Sequence, residues 1–175
     1  NECLRFTSTI TDTTLTFLDL DIIVEGNSLV TKTHIKETAR NYLLRYDSFH
    51  PRHLSDNLPF AQYLWLRLNC SNISDFKSQA ESLTDKLRVR GYPESILRRA
   101  HKRARNNDRE ALLEDRTRPN DEGNLVCVTT YNVASTRVTK VINKNWRILN
   151  SGGLHLPRPL ISHKRGRTFR EALVH

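Results

Sequence analysis

Residues 74–105 read SDFKSQAESLTDKLRVRGYPESILRRAHKRAR, and the rest of the chain is organised around them. Phe76, Ala80, Leu83 and Leu87 recur at helical spacing and predict an amphipathic helix over 75–90. Ser74 is the expected N-cap, its hydroxyl placed to accept from an unpaired backbone N–H. Gly91 ends the helix, because it reaches the left-handed conformation without a Cβ clash. Pro93 suits the first turn of a second helix, where its missing N–H is not needed. That helix turns Ile96, Leu97, Ala100 and Ala104 inward and carries Arg98, Arg99, Lys102, Arg103 and Arg105 on its other faces.

Two helices joined by a glycine turn, the second one basic, have a helix-turn-helix outline. Such a helix can lie on a phosphate backbone and release its counterions. The plainer alternative is a helical hairpin with a solvated basic face.

The whole composition leans the same way. Lys+Arg 28 against Asp+Glu 19 leaves +9 on 175 residues, which favours an acidic partner, nucleic acid before membrane. A hydrophobic fraction of 37% supports a modest core. No apolar run is long enough to span a bilayer. Cys3, Cys70 and Cys127 are too scattered for a disulfide framework or a zinc site, and fit reduced thiols in an intracellular setting. His50 and His53 flank Pro51, which opposes a helical ligand pair, so neither a metal nor another cofactor is expected. The chain begins at Asn1 rather than Met, as a fragment would.

Upstream, residues 15–24 alternate and predict a strand, Glu25–Gly26–Asn27 a turn and residues 28–35 a returning strand: a β-hairpin. Asp19 and Asp21 would share one face, either as a magnesium-binding pair or as a polar face opposite Lys32 or Lys36. Residues 38–46 predict a short helix. A buried helix begins near Pro59, carrying Phe60, Tyr63, Leu64, Trp65, Leu66 and Leu68. Residues 107–123 predict a helix end and a linker. Residues 125–131 predict a strand. A helix capped by Ser135 follows, with Val138, Val141, Ile142, Trp146 and Leu149, ending at Gly152 and Gly153. Residues 163–170 form a second basic run.

Several of these segments, in this order, resemble one family. They are Leu15-Thr16-Phe17-Leu18-Asp19-Leu20, Ser48-Phe49-His50-Pro51, Leu58-Pro59 with Gln62, Cys70-Ser71 and Arg90-Gly91-Tyr92-Pro93. Val128-Thr129-Thr130-Tyr131-Asn132, Lys144 with Trp146 and Leu149, and Phe169-Arg170-Glu171-Ala172-Leu173-Val174 continue the series. Together they resemble the C-terminal part of the reverse transcriptase of Penelope-like retroelements, whose helical pair is also known as an animal helix-turn-helix domain. The resemblance implies a hairpin that closes the palm and a helical thumb that grips a primer–template duplex. It implies catalytic aspartates in an upstream palm and a GIY-YIG endonuclease downstream, so this chain would bind and not catalyse. The chain departs from the family pattern at Lys36-Glu37-Thr38-Ala39 and at Ala61. It also departs at Trp65 and Leu68, which stand where two arginines are usual, leaving Arg67.

The expected fold is therefore α+β, mainly α. A palm-edge β-hairpin fills residues 1–36, a helical thumb-like domain with the helix-turn-helix pair 37–118, and a strand–helix connector with a basic tail 119–175. The expected nucleic-acid contacts are Arg67, Arg98, Arg99, Lys102, Arg103, Lys164, Arg165 and Arg167, with no catalytic residues. The expected partner is a DNA or RNA–DNA duplex held through its phosphates, together with the palm and endonuclease domains of a parent polyprotein, and not a membrane. A nuclear location follows from that partner. The alternatives are a free-standing helix-turn-helix DNA-binding protein derived from such an element, and a relic without function.

Overall fold

The structure, a computed structural model, describes residues 7–36, 40–114, 125–132, 134–153, 156–164 and 166. The fold is α+β and mainly helical, divided into two compact units, Asn1–Asp115 and Arg116–His175. No helix among the described residues is long and apolar enough to cross a membrane.

Unit 1 opens with an antiparallel meander of β1 (Thr14–Phe17), β2 (Leu20–Glu25) and β3 (Ser28–Thr33). The single strand expected over residues 15–24 is two strands. The chain reverses at Leu18 and Asp19, with Phe17 opposite Leu20 and Leu18 at φ +55°. A leucine in the left-handed region costs about 1–2 kcal/mol, so nothing in the residue type marked the turn within the alternation. The second turn follows expectation, with Gly26 at φ +62°. The reversal also separates the two aspartates. Asp19 sits in the turn, while Asp21 accepts hydrogen bonds from Thr16 Oγ1 (2.7 Å) and pairs with His34 Nδ1 (2.9 Å).

Three helices follow: α1 (Arg52–Asn69), α2 (Ile73–Val89) and α3 (Glu94–Arg105). Helix α1 starts seven residues before the expected Pro59, with Pro51 at its cap and Pro59 inside it. An interior proline forfeits a helical hydrogen bond and costs about 3 kcal/mol. Here Pro59 is fully buried in the core, so packing overrides propensity. Helix α2 begins at Ile73 after Asn72, which places Ser74 within the first turn and not at the cap. Tyr63, Phe76 and Leu87, all 0% exposed, form the centre of the core with Leu97, Ala100 and Ala104 of α3. Leu83 packs at its edge, half-buried.

Residues 40–45, expected to be helical, form no helix. With Tyr46 they form a strap across the end of α2. Asn41 Nδ2 donates to Lys86 O (2.9 Å) and Tyr46 N–H donates to Arg90 O (3.0 Å). The last carbonyls of a helix lack partners within it, and the strap supplies one of them. Gly91 N–H and Tyr92 N–H serve Arg88 O and Leu87 O. Strand β3 is tied to the same bundle. Ser71 N–H donates to Thr31 O (2.8 Å), and Gln79 Nε2 donates to Thr33 O (2.8 Å). A short α4 (Arg109–Leu113) ends the described part of this unit, with Arg109 Nε donating to Leu68 O.

Unit 2 is a β–α–β unit: β4 (Val126–Thr130), α5 (Ser135–Ser151) and β5 (Leu160–Lys164), the strands parallel. The sequence predicted the first two elements and missed β5, because its lysine and histidine were absorbed into the basic run. Asn132 and Ser135 cap α5 reciprocally. Ser135 N–H donates to Asn132 Oδ1 (2.8 Å), and Asn132 N–H donates to Ser135 Oγ (3.3 Å). Trp146, 8% exposed, anchors the helix, its Nε1–H donating to Leu156 O (3.3 Å). Gly153, at φ +87°, ends it.

Candidate nucleic-acid interface

Helix α3 owes its position to three features of the preceding chain. Gly91 stands at φ +82°, and nothing lies within 4 Å of where its Cβ would be. Pro93 occupies the N-cap position of α3. Arg88, in the last turn of α2, reaches across the turn. Its Nε and Nη2 donate to the two carboxylate oxygens of Glu94 at 3.0 Å each, while Nη1 donates to Asp85 (2.8 Å). This two-pronged pairing raises the Arg88 guanidinium above its ordinary range and holds the Glu94 carboxyl below its own. The clamp thus fixes the angle between the two helices with charge-assisted bonds of defined geometry.

From that position α3 turns Leu97, Ala100 and Ala104 into the core. At 100° per residue, Arg98, Lys102, Arg99 and Arg103 fall in order around the opposite arc, and all four are exposed. The structure therefore brings these four expected contacts together on one face. Arg103 is further fixed, its guanidinium 3.9 Å above the centre of the Phe60 ring on α1. Such a contact holds the cation while leaving its edge free to donate. Arg105 is also exposed. Arg52, which the sequence reading passed over, lies 4.3 Å over the Tyr46 ring.

Arg67 is not part of this arc. It lies on α1, half-buried, with its Nε enclosed and lacking a protein partner. Lys164 is exposed at the end of β5, in unit 2. Arg165 and Arg167 lie outside the described residues, as does Arg170.

Beneath the arc, His101 fills an aromatic slot. Its ring stacks on Phe76 (5.7 Å, 18°) and tilts against Tyr63 (5.3 Å, 57°), with Nε2 buried and unpartnered. Burial, and then Arg105, lowers its pKa below the ordinary value. A neutral imidazole is the form that this slot accepts. Among the described residues no group of three or more His, Cys, Asp or Glu side chains converges as a metal site.

The arrangement can hold a polyanion along one helix. Residues 42–102 match the family model of the animal helix-turn-helix domain, a span running from the strap through α1 and α2 to Lys102. A helix-turn-helix domain suggests nucleic-acid binding. No curated protein and no solved structure matches the chain.

Proposed function

We propose that unit 1 grips duplex nucleic acid through α3, as the thumb segment of a retroelement reverse transcriptase, and takes no part in catalysis itself. One observation carries this reading: Arg98, Arg99, Lys102 and Arg103 share the exposed arc of the helix on which the helix-turn-helix match ends. Their contacts would position the duplex and not read its bases. The order of segments resembling Penelope-like enzymes supports a thumb in particular, with the parent's palm and endonuclease as neighbours and the nucleus as the place of action.

The family match alone favours a second reading, a free-standing DNA-binding protein of the helix-turn-helix kind. The two differ in what the duplex must be. A thumb takes an RNA–DNA hybrid by its shape and backbone. A helix-turn-helix reader takes B-form DNA and discriminates between sequences.

Binding to a mixed-sequence DNA duplex and to an RNA–DNA hybrid, over a range of salt, tests both. Replacing the four α3 cations by alanine should lower the slope of log K against log salt by up to about 3.6 on B-form DNA. Equal slopes for the wild type and a folded quadruple variant would defeat the α3 reading. Selective binding to one DNA sequence, with the hybrid left unbound, would defeat the thumb and leave the second reading. A continuous reading frame upstream of Asn1 that encodes a paired-aspartate palm would identify the parent enzyme.

A further inference from the structure

The charge of this chain is not where the helix-turn-helix is. Of the 28 Lys+Arg and 19 Asp+Glu, residues 116–175 hold 11 and 3, a formal +8. Residues 1–115 hold the remaining 17 and 16, a formal +1. From Leu125 to Lys164 there is no Asp or Glu at all. Helix α3 has one carboxylate in its own element, Glu94, which is paired with Arg88, whereas α5 has none.

Within α5, Arg137, Lys140, Lys144 and Arg147 recur at i, i+3, i+7 and i+10, and all four are exposed. This spacing keeps them on one side of the helix, away from the face that carries buried Trp146. Like charges three and four residues apart repel along a helix, and no carboxylate on α5 offsets them. Folding alone gives no reason for such a stripe. Its length, ten residues at about 1.5 Å each, is about 15 Å. That is the rise of roughly four successive phosphates on one strand of B-form DNA.

A cleft of about 420 Å³ adjoins the C-terminal half of the stripe, lined by Lys144, Arg147, Arg158, Asn143 and Asn150 among others. The hydrogen bond from Trp146 to Leu156 O pins the returning chain beside the helix. Asn150 Oδ1 fixes the same point by accepting from Leu156 N–H (3.2 Å). These two bonds hold Leu156 beside the helix, and Arg158, two residues on, lines the same recess as Lys144 and Arg147. Three cations thus converge on one polar recess, and the recess is continuous with the stripe.

We propose that α5 carries a second nucleic-acid contact surface, the stripe Arg137–Lys140–Lys144–Arg147 lying along a phosphate backbone and the Arg158 cleft receiving one phosphate at its end. This surface extends the reading of unit 1 to unit 2 and is tested apart from it. It supplies a share of the salt-dependent attraction comparable with that of the four α3 cations.

The test uses the full chain, a mixed-sequence DNA duplex and two quadruple variants. One is R137Q/K140Q/K144Q/R147Q, the other R98Q/R99Q/K102Q/R103Q. The α5 variant is expected to lower the salt slope by up to about 3.6, equally for unrelated sequences, and R158Q by about one unit. The charge-retaining variant R137K/K140R/K144R/R147K should keep the wild-type slope. An unchanged slope in the α5 variant, with loss confined to the α3 variant, overturns this proposal and leaves the α3 reading intact. Loss confined to the α5 variant overturns the α3 reading and leaves this one. Binding to phosphatidylserine vesicles but not to the duplex assigns the stripe to a membrane surface and overturns it. Should the quadruple change unfold unit 2, K144Q/R147Q replaces it, with an expected fall of up to about 1.8 in slope and the same criterion.

Discussion

The two units solve opposite problems. Unit 1 is nearly neutral and closes over a core whose largest members, Tyr63, Phe76, Leu87 and Leu97, are at most 1% exposed. Unit 2 carries almost the whole charge excess. Among its described residues Trp146 is the large apolar side chain that is buried, while Val128, Val141 and Leu160 stand about 60% exposed. Hydrophobic burial stabilises roughly in proportion to the apolar area removed from water, and counterion release strengthens binding in proportion to the cations presented. A chain with limited apolar content can place the two in different segments. On that division fold stability would reside mainly in unit 1, and the proposed electrostatic contact surface of α5 lies in unit 2.

The sharpest way to break this division is to open the core of unit 1. Phe76→Ala should cost about 3–5 kcal/mol, enough to abolish the main thermal transition. Leu83→Ala, at the half-buried edge, should cost about 1–2 kcal/mol. If the two substitutions cost the same by chemical denaturation, the core is not centred where α2 meets α3. Circular dichroism and hydrogen exchange on the Phe76→Ala chain should also find the amides of α5 as protected as before. Their loss would make the two units one cooperative body.

A smaller effect compares like with like. Gly91 and Gly153 each end a long helix in the left-handed region, and each has open space where a Cβ would stand. Gly91→Ala and Gly153→Ala should each cost about 1–2 kcal/mol, wholly conformational. Their effects on duplex binding should differ. Gly91→Ala tilts α3 and should weaken binding at every salt concentration. Gly153→Ala lies beyond the α5 stripe and should leave the salt slope unchanged. Identical binding losses would show that neither turn orients a contact helix.

Acid should act on unit 1 in two steps. The folded state holds the His101 pKa below its usual 6.5, so the unfolded chain binds more protons in that window. Stability from His101 is full above about pH 6.5 and declines as pH falls through the lowered value. The groups facing the ring are Tyr63 on α1, Glu81 on α2 and Arg105 on α3. His101→Phe should flatten the melting temperature between about pH 7 and pH 5. A wild-type curve already flat there would show that the slot admits the charged ring.

The smallest expected effect belongs to the clamp. Glu94 is held below the ordinary carboxyl range by Arg88, so its contribution is present above that range and lost as pH falls through the lowered value. Both partners are about half exposed, so salt screens the pair. Arg88→Gln should move the melting temperature less than Gly91→Ala does, and the difference should shrink in high salt. A larger shift, insensitive to salt, would make the clamp part of the core.

The helix pair, its glycine turn and the basic arc of α3 were legible in the sequence, because helical spacing and φ-permissive glycine are local signals. What was not legible depended on distant partners. Asn41 and Tyr46 satisfy carbonyls at Lys86 and Arg90, more than forty positions away, so the segment between them does not coil on itself. Pro59 looked like a helix start because its burial in the core is a tertiary fact. The β1–β2 reversal at Leu18 broke an alternation that continued unbroken in the letters. The α5 stripe was legible in principle, at i, i+3, i+7 and i+10. The apolar residues of the same helix carry the stronger periodic signal and mask it.

The strap has a practical consequence for anyone cutting the chain. The helix-turn-helix match starts at residue 42, an inviting place to begin an expression fragment. Such a fragment would lack Asn41, and Lys86 O would lose its donor at the end of α2. It would also lack Thr31 and Thr33, whose backbone carbonyls receive Ser71 N–H and the Gln79 amide. A cut before Thr13 keeps the meander, with Val24 N–H still donating to Thr13 O, on one piece with the strap and the three helices, and that boundary, rather than the edge of the motif, preserves the bonds that tie α2 to its neighbours.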